Sequence, residues 1–341
     1  MTKYSIVVAG CGNMSKEWIA YAAGRPDAAV AALVDVRPEA AEAMKTRFGL
    51  DCPVYDDLRE AIRSTGANLV FDVTIPEAHP FVLRTAFEEG CDVFGEKPMA
   101  ASPEEARTMV AEAKASGRTY SVMQNRRYLK GAMAYRDLIR SGAVGDVAYV
   151  NVDFFVGLHN GGFRHTMDHP LLMDYSVHAF DLSRFFTGKE PVSVYCQEFN
   201  PPGSWYAGDA AAVCIFEYGD GAAFCFRGYY AAGGAQTSWE GAWRIVGTNG
   251  TAVWDGTNAP YAEVPREPGG AAYQKPSERI VPECAYRGRE RHQGALDEMF
   301  EALEAGRPSA TDCEDHFKSL LMAFGAVRSS VTGAKVHLAS L

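Results

Sequence analysis

Short, almost wholly apolar runs alternate with amphipathic stretches through the first third of the chain. YSIVVAG (4–10), AAVAALVD (28–35), NLVFDV (68–73), CDVFGE (91–96) and TYSVMQ (119–124) have the make-up of buried strands. Between them, RPEAAEAMKTRFG (37–49) and DDLREAIRSTG (56–66) carry helical spacing and end on glycine. The clearest helix follows residue 101. Ser102 can cap it, Pro103 suits its first position, and Glu105 completes a capping box. Ala106, Met109, Val110 and Ala113 then share one face, and Gly117 stops it. Apolar strands alternating with such helices predict an α/β domain, a doubly wound parallel sheet over residues 1–121.

The pattern changes after that point. VAYVNVDFFV (147–156), PVSVYCQEF (191–199), AAAVCIFEY (210–218), AAFCFRGYY (222–230), AWRIVG (242–247) and TAVWD (251–255) are strand-like, several with strict alternation. EYGDGA and GTNGT supply hairpin turns between them. Helical segments follow at 293–306 and 311–333. Residues 122–341 therefore predict an α+β domain built on a large, open, mostly antiparallel sheet. One face of such a sheet needs covering, which predicts a homodimer or homotetramer formed through it. VPREPGGAAYQKPSE (264–278) reads as a long surface loop, a flap near the site.

In a doubly wound sheet, ligands bind beyond the carboxyl ends of the strands. GCGNMS (10–15) lies at the first such end and opens a helix. Gly10 permits a tight turn and Gly12 lets a pyrophosphate approach the backbone at the helix N-terminus, with Asn13 and Met14 beside it. Ser15 stands where the dinucleotide fingerprint has its third glycine. Asp35 ends the second strand, where a carboxylate accepts from an adenosine ribose and repels a 2′-phosphate. NAD is accordingly favoured over NADP, although Arg37 could receive that phosphate.

At another carboxyl end stands FGEKPMAAS (94–102). Pro98 biases Lys97 towards extended backbone, so the ammonium is presented at the ligand side of the sheet. A second informative segment is HNGGFRHTMDHPLLMDYSVHAFDLSRFFTG (159–188). Continued as helix, it puts Asp174, His178 and Asp181 on one face. His178 suits proton transfer near neutral pH, while the plainer alternative makes Asp174 a cap and His178 a core residue. His159, His165, His169 and His178 crowd together with carboxylates, but at no recognised ligand spacing, so no metal is expected.

Composition narrows the classes. The 341 residues carry a formal charge of −10, against nucleic acid or anionic lipid as a partner. No apolar run approaches the ~20 residues of a membrane span. Eight scattered cysteines without a CxxC pair read as reduced thiols of a cytoplasmic enzyme.

GCGNM, EKP (96–98), VTIPEAH (73–79), DYSVHAFD (174–181) and the tail GRPSATDCEDHFKSLLMAFGAVRSSVTG (306–333) together resemble the Gfo/Idh/MocA family of nicotinamide-dependent dehydrogenases. The likeness spans nearly the whole chain. It implies that Lys97, Asp174 and His178 line the place where nicotinamide meets the substrate carbinol, with Lys97 or His178 as final proton acceptor. It also implies cofactor contacts at Thr74, Pro76, His79 and Glu96, and a cis bond before Pro98. Substrate hydroxyls are expected at Arg127, Tyr128, His159, Asn160, Arg164 and His165, because hydroxyl recognition needs paired donors and acceptors. Where the family often has a glycine-rich run before its aspartate, this chain has DHPLLMD, whose His169 and Pro170 could narrow the pocket or add a contact.

The function expected is oxidation of a secondary hydroxyl of a sugar, inositol or glycoside by hydride transfer to NAD. Besides a metal hydrolase in the second domain, two alternatives remain at this point. One is a redox-neutral enzyme that retains NAD and cleaves or isomerises glycosides. The other is a non-catalytic regulator that binds dinucleotide and sugar.

Overall fold

A computed structural model describes residues 2–159, 161–266 and 276–341. These fall into two compact units. One holds the residues up to Asn125 together with Arg289–Phe317, and the other holds Arg126–Gly288 and Lys318–Leu341.

The first unit is built on β1 (Tyr4–Ala9), β2 (Ala28–Val34), β3 (Val54–Tyr55), β4 (Leu69–Asp72), β5 (Asp92–Gly95) and β6 (Tyr120–Val122). All pair in parallel, in the order β3-β2-β1-β4-β5-β6. The helices α1 (Ser15–Gly24), α2 (Pro38–Phe48), α3 (Leu58–Thr65), α4 (His79–Glu88) and α5 (Pro103–Ser116) connect them. Helix α5 follows its sequence signals. Ser102 accepts from the Glu105 backbone N–H at 3.2 Å, Ala106, Met109, Val110 and Ala113 are buried, and Gly117 closes it in the left-handed region. The strand order reverses between β1 and β4, which makes their carboxyl ends the ligand crevice of this sheet.

The second unit carries a nine-stranded sheet. Its strands are β7 (Val147–Phe155), β8 (Pro191–Phe199), β9 (Ala211–Tyr218), β10 (Ala223–Tyr229), β11 (Ala242–Gly247), β12 (Gly250–Trp254), β13 (Tyr261–Pro265), β14 (Ser277–Ile280) and β15 (Val336–His337). Their order is β14-β13-β12-β11-β7-β10-β9-β8-β15. Only β10 and β7 run parallel among these neighbours. Alternation along β8 and β9 sends Val194, Cys196, Cys214 and Phe216 inward and leaves Val192, Tyr195, Phe199, Val213 and Ile215 exposed. Helices α6 (Lys130–Arg140) and α7 (Ser176–Thr187) belong to this unit.

Three expectations are revised here. The segment before α7 is not plain α-helix, because Leu171–Tyr175 form a π-helical turn. Asp174 lies within that turn, and His178 and Asp181 follow it on α7. The loop expected at 264–278 begins and ends inside paired strands, Val264 opposite Glu278 and Pro265 opposite Ser277. The flap assigned to its centre, 267–275, lies outside the described residues.

The third revision concerns the expected break between residues 121 and 122. The first unit is completed by α8 (Arg291–Ala305) and the start of α9 (Cys313–Thr332). The cause is aromatic packing. Phe300 is fully buried on α8, with its ring centroid 4.9 Å from Tyr4, 5.7 Å from Tyr21, 6.2 Å from Phe71 and 5.2 Å from Phe94. A buried aromatic side chain contributes heavily to a core, so α8 is structural to the parallel sheet despite being remote in sequence.

Candidate active site

The glycine loop after β1 has the conformation its sequence asks for. Gly10 has φ +88°, and a Cβ there would lie 2.5 Å from the carbonyl oxygen of Val73. Only glycine lets the ends of β1 and β4 come this close. A Cβ on Gly12 would meet nothing within 4 Å, so space is open above the backbone there. No side chain caps α1, in contrast to α3 and α5, which Asp57 and Ser102 cap. The Glu17 N–H donates to the Met14 carbonyl at 3.1 Å, and the N–H groups ahead of it at the helix start are the kind of donors a dinucleotide pyrophosphate requires. Ser15 is fully buried and donates to the Gly12 carbonyl at 2.7 Å, so the departure from the fingerprint glycine is absorbed without an unsatisfied hydroxyl. Beside the loop opens a cavity of about 460 Å³, lined by Asn13, Met14 and Lys16 and by His292 from α8.

Asp35 follows β2 and accepts the Cys11 backbone N–H at 2.8 Å and that of Arg37 at 2.9 Å. These bonds hold the carboxylate beside the glycine loop and leave lone pairs for ribose hydroxyls. The Arg37 side chain is 68% exposed, with Nε 3.9 Å from Asp35. At the end of β4, Asp72 accepts from the Thr74 hydroxyl at 2.6 Å, and His79 Nδ1 stands 2.7 Å from its other oxygen. Two of the expected cofactor residues, Thr74 and His79, are therefore bound to a buried aspartate, while Pro76 stays half-buried in the loop between them. Burial alone would lower the His79 pKa, but the Asp72 charge and hydrogen bond outweigh it and leave it raised.

After β5 the Glu96 side chain is buried and fixed. Trp18 Nε1 donates to its Oε1 at 2.8 Å, and His292 Nε2 lies 3.7 Å away. Desolvation pushes this carboxyl up, yet His292 and the Trp18 N–H outweigh it and hold it below the ordinary value. Lys97 follows at once, and the Lys97–Pro98 bond is cis. The Met99 N–H donates to His316 Nε2 at 3.3 Å. Trp18, His292 and His316 were invisible to sequence patterning: one sits on α1, and the other two come from the returning segment.

In the second unit the π-turn presents Asp174, which is 8% exposed. Arg164 grips it with Nε at 2.6 Å and Nη2 at 3.1 Å, and the Tyr230 hydroxyl donates to it at 2.9 Å. Burial would lower the Arg164 pKa, but the carboxylate raises it. Burial first, and then Asp174, push the Tyr230 phenol far above its ordinary range, so it stays a donor. His178 lies in the first turn of α7 and is buried. His159 stacks on Trp205 at 4.5 Å and faces His165 at 5.5 Å, which in turn meets the Tyr206 ring edge. Asn160 lies outside the described residues.

Arg127 is placed differently from expectation. It is buried, its Nε donates to Asp181 at 2.7 Å, its Nη2 pairs with the same carboxylate, and Ser319 adds a bond at 3.0 Å. This is an ion pair inside the unit, with the marks of a framework contact. Tyr128 beside it is also buried. Tyr230, Trp205 and Tyr206 were not foreseen, because they lie outside the strands, where no periodicity marks what a side chain will meet.

Comparison with known proteins gives the family. Residues 4–124 match the family described as "Oxidoreductase family, NAD-binding Rossmann fold", and residues 133–253 match the "GFO/IDH/MocA C-terminal domain". The chain belongs to this family. It is thus an oxidoreductase-family protein whose dinucleotide is NAD. The chain is 24% identical over 348 residues to 1,5-anhydro-D-fructose reductase of Ensifer adhaerens, covering 99% of each. It is 27% identical over 194 residues to inositol 2-dehydrogenase of Rhizobium meliloti, covering 54% of this chain and 55% of that one. In fold it is similar to an oxidoreductase from Agrobacterium radiobacter solved with NAD⁺, L-tartaric acid and magnesium, with TM-score 0.84, 19% identity and 99% coverage of both chains. No helix among the described residues is long and apolar enough to cross a membrane.

Proposed function

We propose that the protein is an NAD-dependent dehydrogenase that oxidises a secondary hydroxyl of a sugar, inositol or related polyol. The observation that carries this reading is Lys97, set at the carboxyl end of β5 immediately after an ion-paired Glu96, in a chain of an NAD-binding oxidoreductase family. Similarity to 1,5-anhydro-D-fructose reductase over the full length, and to inositol 2-dehydrogenase over half, supports a polyhydroxylated substrate.

NAD supplies the hydride acceptor. The chain's own residues hold the cofactor and handle the proton. Asp35 receives the adenosine ribose, and the uncapped start of α1 with Gly12 receives the pyrophosphate. Lys97 donates a hydrogen bond to the substrate oxygen, which stabilises the negative charge that grows there as the C–H bond breaks. His178 takes the hydroxyl proton, so the carbinol loses one hydride and one proton and becomes a carbonyl. Asp174 acts with Arg164 and Tyr230 as a fixed polar array that orients the remaining hydroxyls. Arg127 serves as framework through Asp181.

The test is absorbance at 340 nm with NAD or NADP and a panel of inositols, aldoses, sugar acids and glycosides. NADH formation with one substrate group is the expected result. No absorbance change across the panel, with NAD binding shown by calorimetry, would overturn net oxidation and direct attention to products formed with NAD retained.

A further inference from the structure

Glu198 is out of place for its strand. It lies on β8 at an inward position, two residues from Cys196, on the face that its neighbours use for core packing. It is 4% exposed, and neither carboxylate oxygen has a hydrogen bond of good geometry, the one close partner being the His169 ring. A buried carboxylate without donors is costly, and proteins retain one when a cation or a proton compensates it.

Two other ligand-type side chains converge on it. His169 Nδ1 lies 2.8 Å from Glu198 Oε2, a charge contact without hydrogen-bond geometry, since that nitrogen is also unsatisfied. Asp209 completes the group, and one donor atom from each residue lies within 4.8 Å of the others. The backbone builds this convergence. The Asp209 N–H donates to the Asp168 carbonyl at 2.8 Å, and the Ala207 N–H to that of His165 at 2.9 Å. Gly208 allows the two segments to touch, because a Cβ there would fall 2.1 Å from the Asp168 carbonyl oxygen. The imidazole and the two carboxylates are thus held together by main chain, on an element whose sequence gives no ligand spacing.

We propose that His169 Nδ1, Glu198 and Asp209 form a binding site for one first-row divalent cation of the Zn²⁺ or Mn²⁺ class. One nitrogen and two or three carboxylate oxygens suit such an ion better than Ca²⁺, which takes about 6–8 oxygens. In a tetrahedral site with bonds of about 2.0–2.1 Å, donors stand roughly 3.3 Å apart, so small side-chain adjustments suffice. The cation joins β8 to the strap that leads into the π-turn bearing Asp174. Its role is structural, and it stands apart from the proposed hydride chemistry.

The experiment is calorimetric titration of chelator-treated full-length protein with Zn²⁺ alone and, separately, with Mn²⁺ alone. One saturable site per chain is expected for at least one ion. Glu198→Gln and Asp209→Asn should each weaken that binding by about 10-fold or more, with far-UV circular dichroism unchanged for Asp209→Asn, the half-buried member of the group. Binding of equal strength in wild type and Asp209→Asn would place the ion elsewhere, among the thiols for example, and overturn the proposal. Absence of binding for both ions in the wild type would overturn it too.

Discussion

Arg164 and Asp174 are joined by two contacts, at 2.6 and 3.1 Å, although ten residues and a π-turn's start separate them in the chain. With Tyr230 donating to the same carboxylate, Asp174 is an oriented group before any substrate arrives. A hydrogen bond to a charged group contributes about 1.5–3 kcal/mol. Arg164→Ala should therefore lower kcat/KM by roughly 10- to 100-fold. Tyr230→Phe should do so less severely. Steady-state kinetics on the substrate found by the panel would check this, and an Arg164→Ala enzyme within about twofold of wild type would remove the array from the substrate site.

Lys97 and His178 are separable by their signatures. Lys97→Ala should lower kcat by about 10²–10⁴-fold, the range for a lost proton-transfer or charge-stabilising group. NAD affinity measured by calorimetry should change little. His178→Ala should abolish the acid limb of the kcat profile against pH. If that limb survives in His178→Ala and vanishes in Lys97→Ala, the assigned roles are reversed.

The His79–Asp72 pair predicts a pH dependence of stability. The folded-state pKa of His79 is raised, Asp72 outweighing the burial that opposes it. Stability from this pair is fully present below the unfolded-state pKa of about 6.5 and is lost as pH rises through the folded value. His79→Asn keeps a donor towards Asp72 but cannot be protonated. In urea unfolding, the advantage of wild type over His79→Asn should shrink as pH rises above about 6.5. A difference that stays constant across that range would show that the ring is not protonated in the folded protein.

Self-association through the outward face of β8 and β9 is open to test. Tyr195 and Ile215 are cross-strand partners, 45% and 47% exposed, with Val192, Phe199 and Val213 on the same face. Apolar clusters of this kind mark interaction sites. Light scattering after size exclusion should give a dimer or tetramer mass, and Tyr195→Asp with Ile215→Asp should reduce it to the monomer. A wild-type monomer at micromolar concentration would rule this face out as a stable interface.

Local physics explains which parts were legible beforehand. The Ser102–Glu105 cap, the Gly117 stop and the β9–β10 and β11–β12 hairpins were readable because each depends on residues a few positions apart. The glycine turn after β1 and the position of Asp35 after β2 were readable from the order of strands and glycines. The tie of Arg127 to Asp181 was not legible, because an arginine's partner is chosen by tertiary packing. The π-turn at Leu171–Tyr175 was hidden because its residues are equally compatible with α-helix. Glu198 and Asp209 were missed for a similar reason: only strand pairing and one glycine contact bring them to His169.

The placement of Phe300 has a consequence for the order in which the protein is made. Tyr4, Tyr21, Phe71 and Phe94 leave the ribosome well before the ring that fills the space between them, which comes from α8. Domains generally fold as units during synthesis, the N-terminal one first. Here the half that is begun first must be finished late, and until then its aromatic side chains stand exposed. Until α8 emerges, a chaperone covering the nascent parallel sheet would keep those rings from water.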